Sequence, residues 1–432
     1  MTPITTLQLP FGRSHVSLEV RASNLIGVFG PHHVEQSEAE STLLRRALEH
    51  PIGTPHLRDI ARSGQRVAIV TSDLTRPCPS QLLIPLILDE LAAAGVRDDT
   101  VTVVAALGLH RRMTSSELEA TVGAGVFRRL RVINHDAQDT IRLGTTSAGT
   151  PVEIFRPIVE ADLRVCLGNL EFHYFVGYSG GAKAIIPGCA SETTVRANHA
   201  LMAHPGAVTA NIESNPVRAD LEEGAAKVGV DFILNVLVDE HRIVGAVAGD
   251  VVAAHRKGCE MVDQRGKVPI PELADIVVVS AGGYPKDVNL YQAQKALDHA
   301  AHAVRTGGVI ILVAECPEGL GNPVFEEWMT QSSTPEALLA RIRHQFVLGG
   351  HKAAAIAKMA RKAHVLLVSP ALADVPLTGM ERQPSPSRAL DVALALMGSG
   401  ARISVLPRGA SVLPQLPTGS QAGSSQDDGG HG

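Results

Sequence analysis

The chain has 432 residues, 45% of them hydrophobic and 19% charged, with 3% aromatic and a formal net charge of -5. That length is too great for one compact core and calls for at least two domains, and the acidic balance argues against nucleic acid, which needs a basic surface. No apolar run reaches the ~20 residues needed to span a bilayer, and the start MTPITTLQLPFGRSH lacks a signal-peptide pattern. The five cysteines (Cys78, Cys166, Cys189, Cys259, Cys316) are widely spaced without a C-x-x-C. A cytoplasmic protein without a disulfide scaffold or zinc site is expected.

In chain order, TTLQLPFGRSHVSLEV alternates apolar and polar residues about Phe11-Gly12 and predicts a β-hairpin. SEAESTLLRRALEH and TPHLRDIAR read as helices, each opened by a Ser or Thr cap. QRVAIVTSDLTRP is a buried strand ending in a polar turn, and SQLLIPLILDELAAAG (80–95) a helix with Ser80 as its N-cap. TVTVVAALGLHRR is another buried strand, followed by a capping box at Thr114-Ser-Ser-Glu117. DLRVCLGNLEF (162–172) is a third strand. The second half repeats the rhythm. ADIVVVSAGGYP (274–285), GGVIILVAECPEGLG (307–321), HVLLVS (364–369) and ARISVLP (401–407) read as strands, with helices at LYQAQKALDHAAHAV (290–304) and RALDVALALMG. Such alternation predicts an α/β fold with a mostly parallel sheet in each of two domains. The boundary is expected near GKVPIPELAD (266–275), which gives an N-terminal domain over 1–268, a C-terminal domain over 269–410 and a disordered Gly/Ser/Gln-rich tail over 411–432.

Parallel α/β sheets bind ligands outside the carboxyl ends of their strands. The polar residues there are Asp73, Thr75 and Arg76; His110 and Arg111; Glu171 and His173; Tyr284, Pro285 and Lys286; and Glu315. Arg76 suits a bidentate grip on a carboxylate or phosphate, against the plainer reading that it pairs with Asp73 while Asp73 caps a helix. His110 and His173 suit a base and an acid facing one pocket, because imidazole titrates near neutral pH; the plainer reading is two surface histidines. EFHYFVGYSGGAKAIIPG (171–188) gathers two of the four tyrosines beside a glycine-broken stretch leading to Lys183. It is not a phosphate loop, since Ala184 follows the lysine, and no G-x-G-x-x-G occurs either. Lys183 is then an anion ligand among backbone amides or a covalent attachment point for a cofactor. RANHALMAHPGA brings His199 and His204, but no second ligand at helical spacing with an acidic partner. A metal there would take most of its ligands from elsewhere.

Together, SDLTRP (72–77), LGLHR (107–111), EFHYFVGYSGGAKAIIPG, NHALMAHPG (198–206), GGYPKDVNLYQAQKAL (282–297) and VLGGHKA (347–353) resemble one family. It is that of the nickel-dependent lactate racemases and their 2-hydroxyacid racemase and epimerase relatives. The resemblance runs from the LPFG at 9–12 to about 407. It implies an active site in the interdomain cleft and a nickel-pincer nucleotide, a pyridinium-3-thioamide-5-thiocarboxylic acid mononucleotide carrying nickel, linked covalently through Lys183. His199 would complete the nickel coordination, and Asp73 would belong to the cofactor site. His110 and His173 would be the catalytic acid/base pair, and Arg76, Tyr291, Gln292 and Lys295 would bind substrate. The implied reaction inverts C2 of a 2-hydroxy acid by hydride transfer to and from the cofactor through a 2-keto acid. Cofactor-synthesis proteins are the implied partners, no nucleic acid or membrane is involved, and a homodimer is left open. The stretch 318–345, Trp328 included, receives no assignment. Two other readings compete. A nicotinamide-dependent 2-hydroxyacid dehydrogenase lacks its dinucleotide fingerprint here, and a non-catalytic nickel-cofactor binding protein would need no histidine pair.

Overall fold

The structure is a computed structural model that describes residues 3–32, 38–239, 242–344, 347 and 349–417. The chain divides into two units, Val34–Gln264 and a second that joins Met1–His33 to Arg265–Gly432. The division after Gln264 falls beside the proline-rich stretch at 266–275, but the first 33 residues group with the later half, unlike the expected 1–268 domain. Strand pairing is the reason. Leu25–Val28 adds in parallel to Ile403–Leu406 at the edge of the later sheet. The hairpin Ile4–Phe11/Ser14–Arg21 buries Leu9, Phe11, Leu18 and Val20 in a cluster with Ile276, Val278, Val309 and Ile311.

In the unit Val34–Gln264, six strands form one sheet in the order Arg242–Gly249, Phe232–Asp239, Leu163–Asn169, Val67–Ser72, Val101–Ala106, Arg131–Asn134. All pairs are parallel except the first, an antiparallel hairpin. The Val67–Ser72 strand is buried over its first five residues, so both of its faces are covered, as in buried parallel sheets. From it the chain steps first toward Val101–Ala106 and later returns to Leu163–Asn169 on the other side, which makes a topological switch point. The helix Ser80–Ala93 has Pro79, not Ser80, as its N-cap. Ser80 is buried, and its hydroxyl meets Thr71 Oγ1 at 2.5 Å. The Thr114/Glu117 capping box is present.

In the other unit the sheet order is Glu381–Gln383, His364–Val368, Val304–Val313, Ala274–Ser280, Ile403–Leu406, Leu25–Val28, with every pair parallel. The chain stays ordered beyond 411, where a disordered tail is expected from composition: Leu413–Gln415 pairs with Lys267–Pro269. Residues 418–432, the rest of that expected tail, lie outside the described residues. Trp328 is a core residue, 1% exposed, and a Cβ at Gly350 would come within 2.7 Å of its ring.

Candidate active site

Parallel register aligns the strand ends of the unit Val34–Gln264. Ser72 lies opposite Ala106, so Asp73 and the 107–110 turn leave the sheet side by side. His110 Nδ1 meets Asp73 Oδ2 at 2.5 Å. Asp73 Oδ1 accepts from the backbone N–H of Thr75 at 2.9 Å and from its hydroxyl at 2.6 Å. Burial by itself would raise the Asp73 carboxyl. The His110 hydrogen bond and charge, then Arg76 and Thr75, outweigh it and hold the group at about 2. Asp73 is therefore ionised and orients the histidine, whose side chain is still 39% exposed. The plainer reading holds only in part: Arg76 acts on Asp73 through its charge, but Asp73 caps no helix and its hydrogen-bond partners include His110 and Thr75.

The stretch 171–190 crosses these strand ends. Phe172–His173 and Gly177–Tyr178 make a two-rung antiparallel hairpin. Gly177 turns it at φ 83°, where a Cβ would come within 2.2 Å of the Asn211 carbonyl. Glycine is required there on both counts. His173 is 8% exposed, stacks on Tyr174 at 5.2 Å and accepts the Val176 N–H on Nδ1 at 3.3 Å. Phe175 stands edge-on between His173, at 4.7 Å, and His199, at 5.1 Å. Tyr178, by contrast, is scaffold: it is 2% exposed and donates to Asp263 Oδ1 at 2.6 Å. Gly108 N–H donates to the Gly188 carbonyl at 2.9 Å, which joins the His110 turn to the segment behind Lys183.

His199 ends the helix Glu192–Ala200 and is 8% exposed. Burial, reinforced by the positive charge of Lys183, drives its imidazole down to about 3, so it is neutral at any working pH. Its Nδ1 is buried without a hydrogen-bond partner among the described residues. A neutral imidazole with an uncommitted nitrogen is the form that ligates metals. No group of three or more His, Cys, Asp or Glu among the described residues suits a metal ion. Asn198 holds the adjacent turn through Asp220 Oδ2 at 2.8 Å, and Asp220 is itself fixed by Thr146 and Thr150. Nothing in the sequence pattern singled out Asp220, which lies on a later helix.

Several strand-end residues are committed elsewhere. Arg111 pairs with Glu117 at 2.6 Å, and Lys286 donates to the Ser411 hydroxyl. Tyr291, Gln292 and Lys295 all lie on the helix Leu290–Ala300 of the other unit, capped by Asn289, and each is half-buried. At spacing i, i+4, Tyr291 and Lys295 share a face. Tyr291 is braced from behind. Lys352 Nζ sits 4.2 Å over its ring and donates to its carbonyl at 2.5 Å, and Phe325 packs edge-on at 5.6 Å. Lys352 belongs to VLGGHKA, so its signal was in the sequence without a role attached.

Comparison with known proteins identifies the family. Residues 11–210 match the lactate racemase N-terminal domain model, and 271–414 the lactate racemase C-terminal domain model. The chain is 35% identical over 426 residues to a lactate racemase of Thermoanaerobacterium thermosaccharolyticum, covering 95% of this chain and 99% of that protein. It is 30% identical, over 95% of this chain and the whole of that protein, to a lactate racemase of Lactiplantibacillus plantarum. The solved lactate racemase apoprotein of T. thermosaccharolyticum superposes with a TM-score of 0.87 at 34% identity, covering 95% of this chain and all of that one. A Thermotoga maritima crystal structure, 18% identical with a TM-score of 0.65 over 88% of this chain and 98% of that one, shares the fold. With both domain models matched and relatives aligned along nearly its whole length, the chain is an isomerase that belongs to the lactate racemase family.

Proposed function

We propose that the protein racemises a short 2-hydroxy acid, lactate being the substrate named for both relatives, with His110 and His173 as the acid/base pair. The observation that carries this reading is the opposite engagement of the two imidazoles. Asp73 accepts from His110 Nδ1, so the neutral ring carries its lone pair on Nε2 and is a base. His173 accepts a backbone N–H on Nδ1, so its neutral ring carries the proton on Nε2 and would donate a hydrogen bond to the substrate oxygen. In this state His110 would take the hydroxyl proton and, as the imidazolium, return it to the same oxygen of the inverted product, while His173 would hold that oxygen; a proton relocated to the other ring exchanges the two roles. Arg76 would hold the substrate carboxylate as a fork, and Tyr291, Gln292 and Lys295 would contribute the remaining contacts.

The C2–H of a 2-hydroxy acid is too weakly acidic for either histidine to remove as a proton, so a cofactor must take that hydrogen. His199 and Lys183 fit the nickel-pincer nucleotide. A buried neutral imidazole with an uncommitted nitrogen offers one ligand to a borderline-soft ion, and the adjacent lysine offers an amine for a covalent tether. When bound, that group would supply a hydride acceptor and donor at C2. Residues 172–176 would keep water from the reacting carbon. The test is polarimetry of the protein co-produced with a nickel-pincer synthesis pathway. Either enantiomer of lactate should lose its rotation without added nicotinamide, with about one nickel per chain and an adduct on Lys183. Full activity in nickel-free protein, or no turnover of any 2-hydroxy acid by nickel-loaded protein, overturns the reading.

A further inference from the structure

The segment that leads into Lys183 is gripped by its backbone. Arg218, on the helix Pro216–Val228, donates from Nη2 to the Tyr178 carbonyl. His255, on the helix Ala253–Gly266, meets the Ser179 carbonyl through Nε2 at 2.8 Å. Asn235, on the strand Phe232–Asp239, accepts the Gly181 N–H on Oδ1 at 2.7 Å. These three side chains come from three separate elements, and each is at most 1% exposed. Ser179 adds a local tie, donating to the Asn169 carbonyl at 2.7 Å and accepting the Glu171 N–H at 2.8 Å.

The fit leaves no room for side chains on the gripped residues. A Cβ on Gly180 would lie 2.7 Å from Asn235 Oδ1, and one on Gly181 would lie 2.7 Å from His255 Cδ2. Burying a guanidinium and an imidazole costs desolvation that an aliphatic core would avoid. For Arg218 the compensation is partial: Nε and Nη1 have no hydrogen-bond partner among the described residues, and the nearest carboxylate oxygen, of Glu222, is 3.6 Å from Nη1. For His255 the donor role is settled by its surroundings. Nδ1 faces Arg256 Nη1 at 3.3 Å and Cys259 Sγ at 3.6 Å, which leaves the ring proton on Nε2, toward Ser179. What the three side chains share is the 178–181 backbone, and the first side chain beyond it that bears a reactive group is Lys183.

We propose that His255, Asn235 and Arg218 are positioning residues that fix the root of the Lys183 side chain. The proposal rests on the reading of Lys183 as the cofactor anchor. Its test uses the full chain made without the cofactor pathway. Two probes are read: amide exchange of residues 180–184, and acetylation of Lys183 by acetic anhydride relative to the exposed Lys358. His255→Leu and Asn235→Leu should each speed that exchange about tenfold, the equivalent of one lost buried hydrogen bond. Each should also change the Lys183/Lys358 acetylation ratio at least threefold, by the same loss of local order. His255→Gln, which keeps a donor, should restore both to within about twofold of wild type. If both probes stay within twofold of wild type in the Leu variants while the melting temperature falls, the three residues are structural only and the proposal fails. Should a Leu variant not fold, Asn235→Ala is read by the same thresholds. Peptide mass analysis of loaded wild-type protein tests the anchor reading separately: an unmodified Lys183 there would overturn that reading, whatever the variants do.

Discussion

The two six-stranded sheets present their carboxyl ends in contrasting ways. In the unit Val34–Gln264 the strand ends and the helix Glu192–Ala200 carry groups held in a defined state with capacity left over. His110 is oriented by an ionised Asp73 yet 39% exposed, and His199 is buried, neutral and uncommitted at Nδ1. In the other unit the corresponding residues tie the fold together. Ser280 donates to the Pro10 carbonyl, Tyr284 N–H to the Gly12 carbonyl, and Lys286 to Ser411. Asp287 Oδ2 accepts the Gly12 N–H at 2.7 Å and the Glu315 N–H at 3.3 Å. Strand-end position nominates a residue; whether its polar atoms are already paired decides whether chemistry remains for it.

The sharpest way to break this comparison is to remove the reacting groups. His110→Ala and His173→Ala should each lower turnover by roughly 10²–10⁴-fold, the range for loss of a general acid or base, with circular dichroism unchanged. Turnover within threefold of wild type in either variant would exclude that histidine.

Removing the orienting carboxylate should cost less. Asp73→Asn lets His110 adopt the other tautomer, and turnover should fall by about 10²-fold while substrate KM moves little. Asp73 also links stability to pH. Its folded value of about 2 lies below the unfolded ~3.9. The stabilisation is therefore present above pH ~4 and lost as pH falls from there through about 2. Acid unfolding followed by amide exchange of the Val67–Ser72 strand should be shallower over that window in Asp73→Asn, and an unchanged profile would contradict the pairing.

The smallest catalytic effects belong to the other sheet. Asp287→Ala leaves the buried Gly12 N–H and the part-buried Glu315 N–H without this acceptor and should cost about 1–3 kcal/mol in urea unfolding, while kcat per folded molecule stays within about threefold. A large kcat loss without destabilisation would mean that these strand ends take part in chemistry after all.

Much of the architecture was legible because it is written in local pattern. β-Branched runs between helical periods specify parallel sheets, and the Thr114/Glu117 box is both local and present, whereas the first two helices start after Ala39 and His56 rather than at the expected Ser or Thr caps. The candidate site was legible as residue types at strand ends, and the family resemblance supplied roles. Pairwise commitments were not legible. Tyr178 and Lys286 are bound to partners 85 and 125 residues away that only folding brings near. Arg218, Asn235 and His255 escaped notice because each acts on a main-chain group 40, 54 or 76 residues away.

By itself, then, the sequence determined the α/β alternation, the glycines that admit close backbone approach before Lys183, and the placing of histidines after strands. Tertiary structure alone decided that the first 33 residues join the later unit, that Asp73 serves His110, and that His199 stays neutral. The physical reason is range. Helix caps and strand periodicity act within a few residues, whereas ionisation, tautomer and burial depend on neighbours the chain supplies only once it has folded.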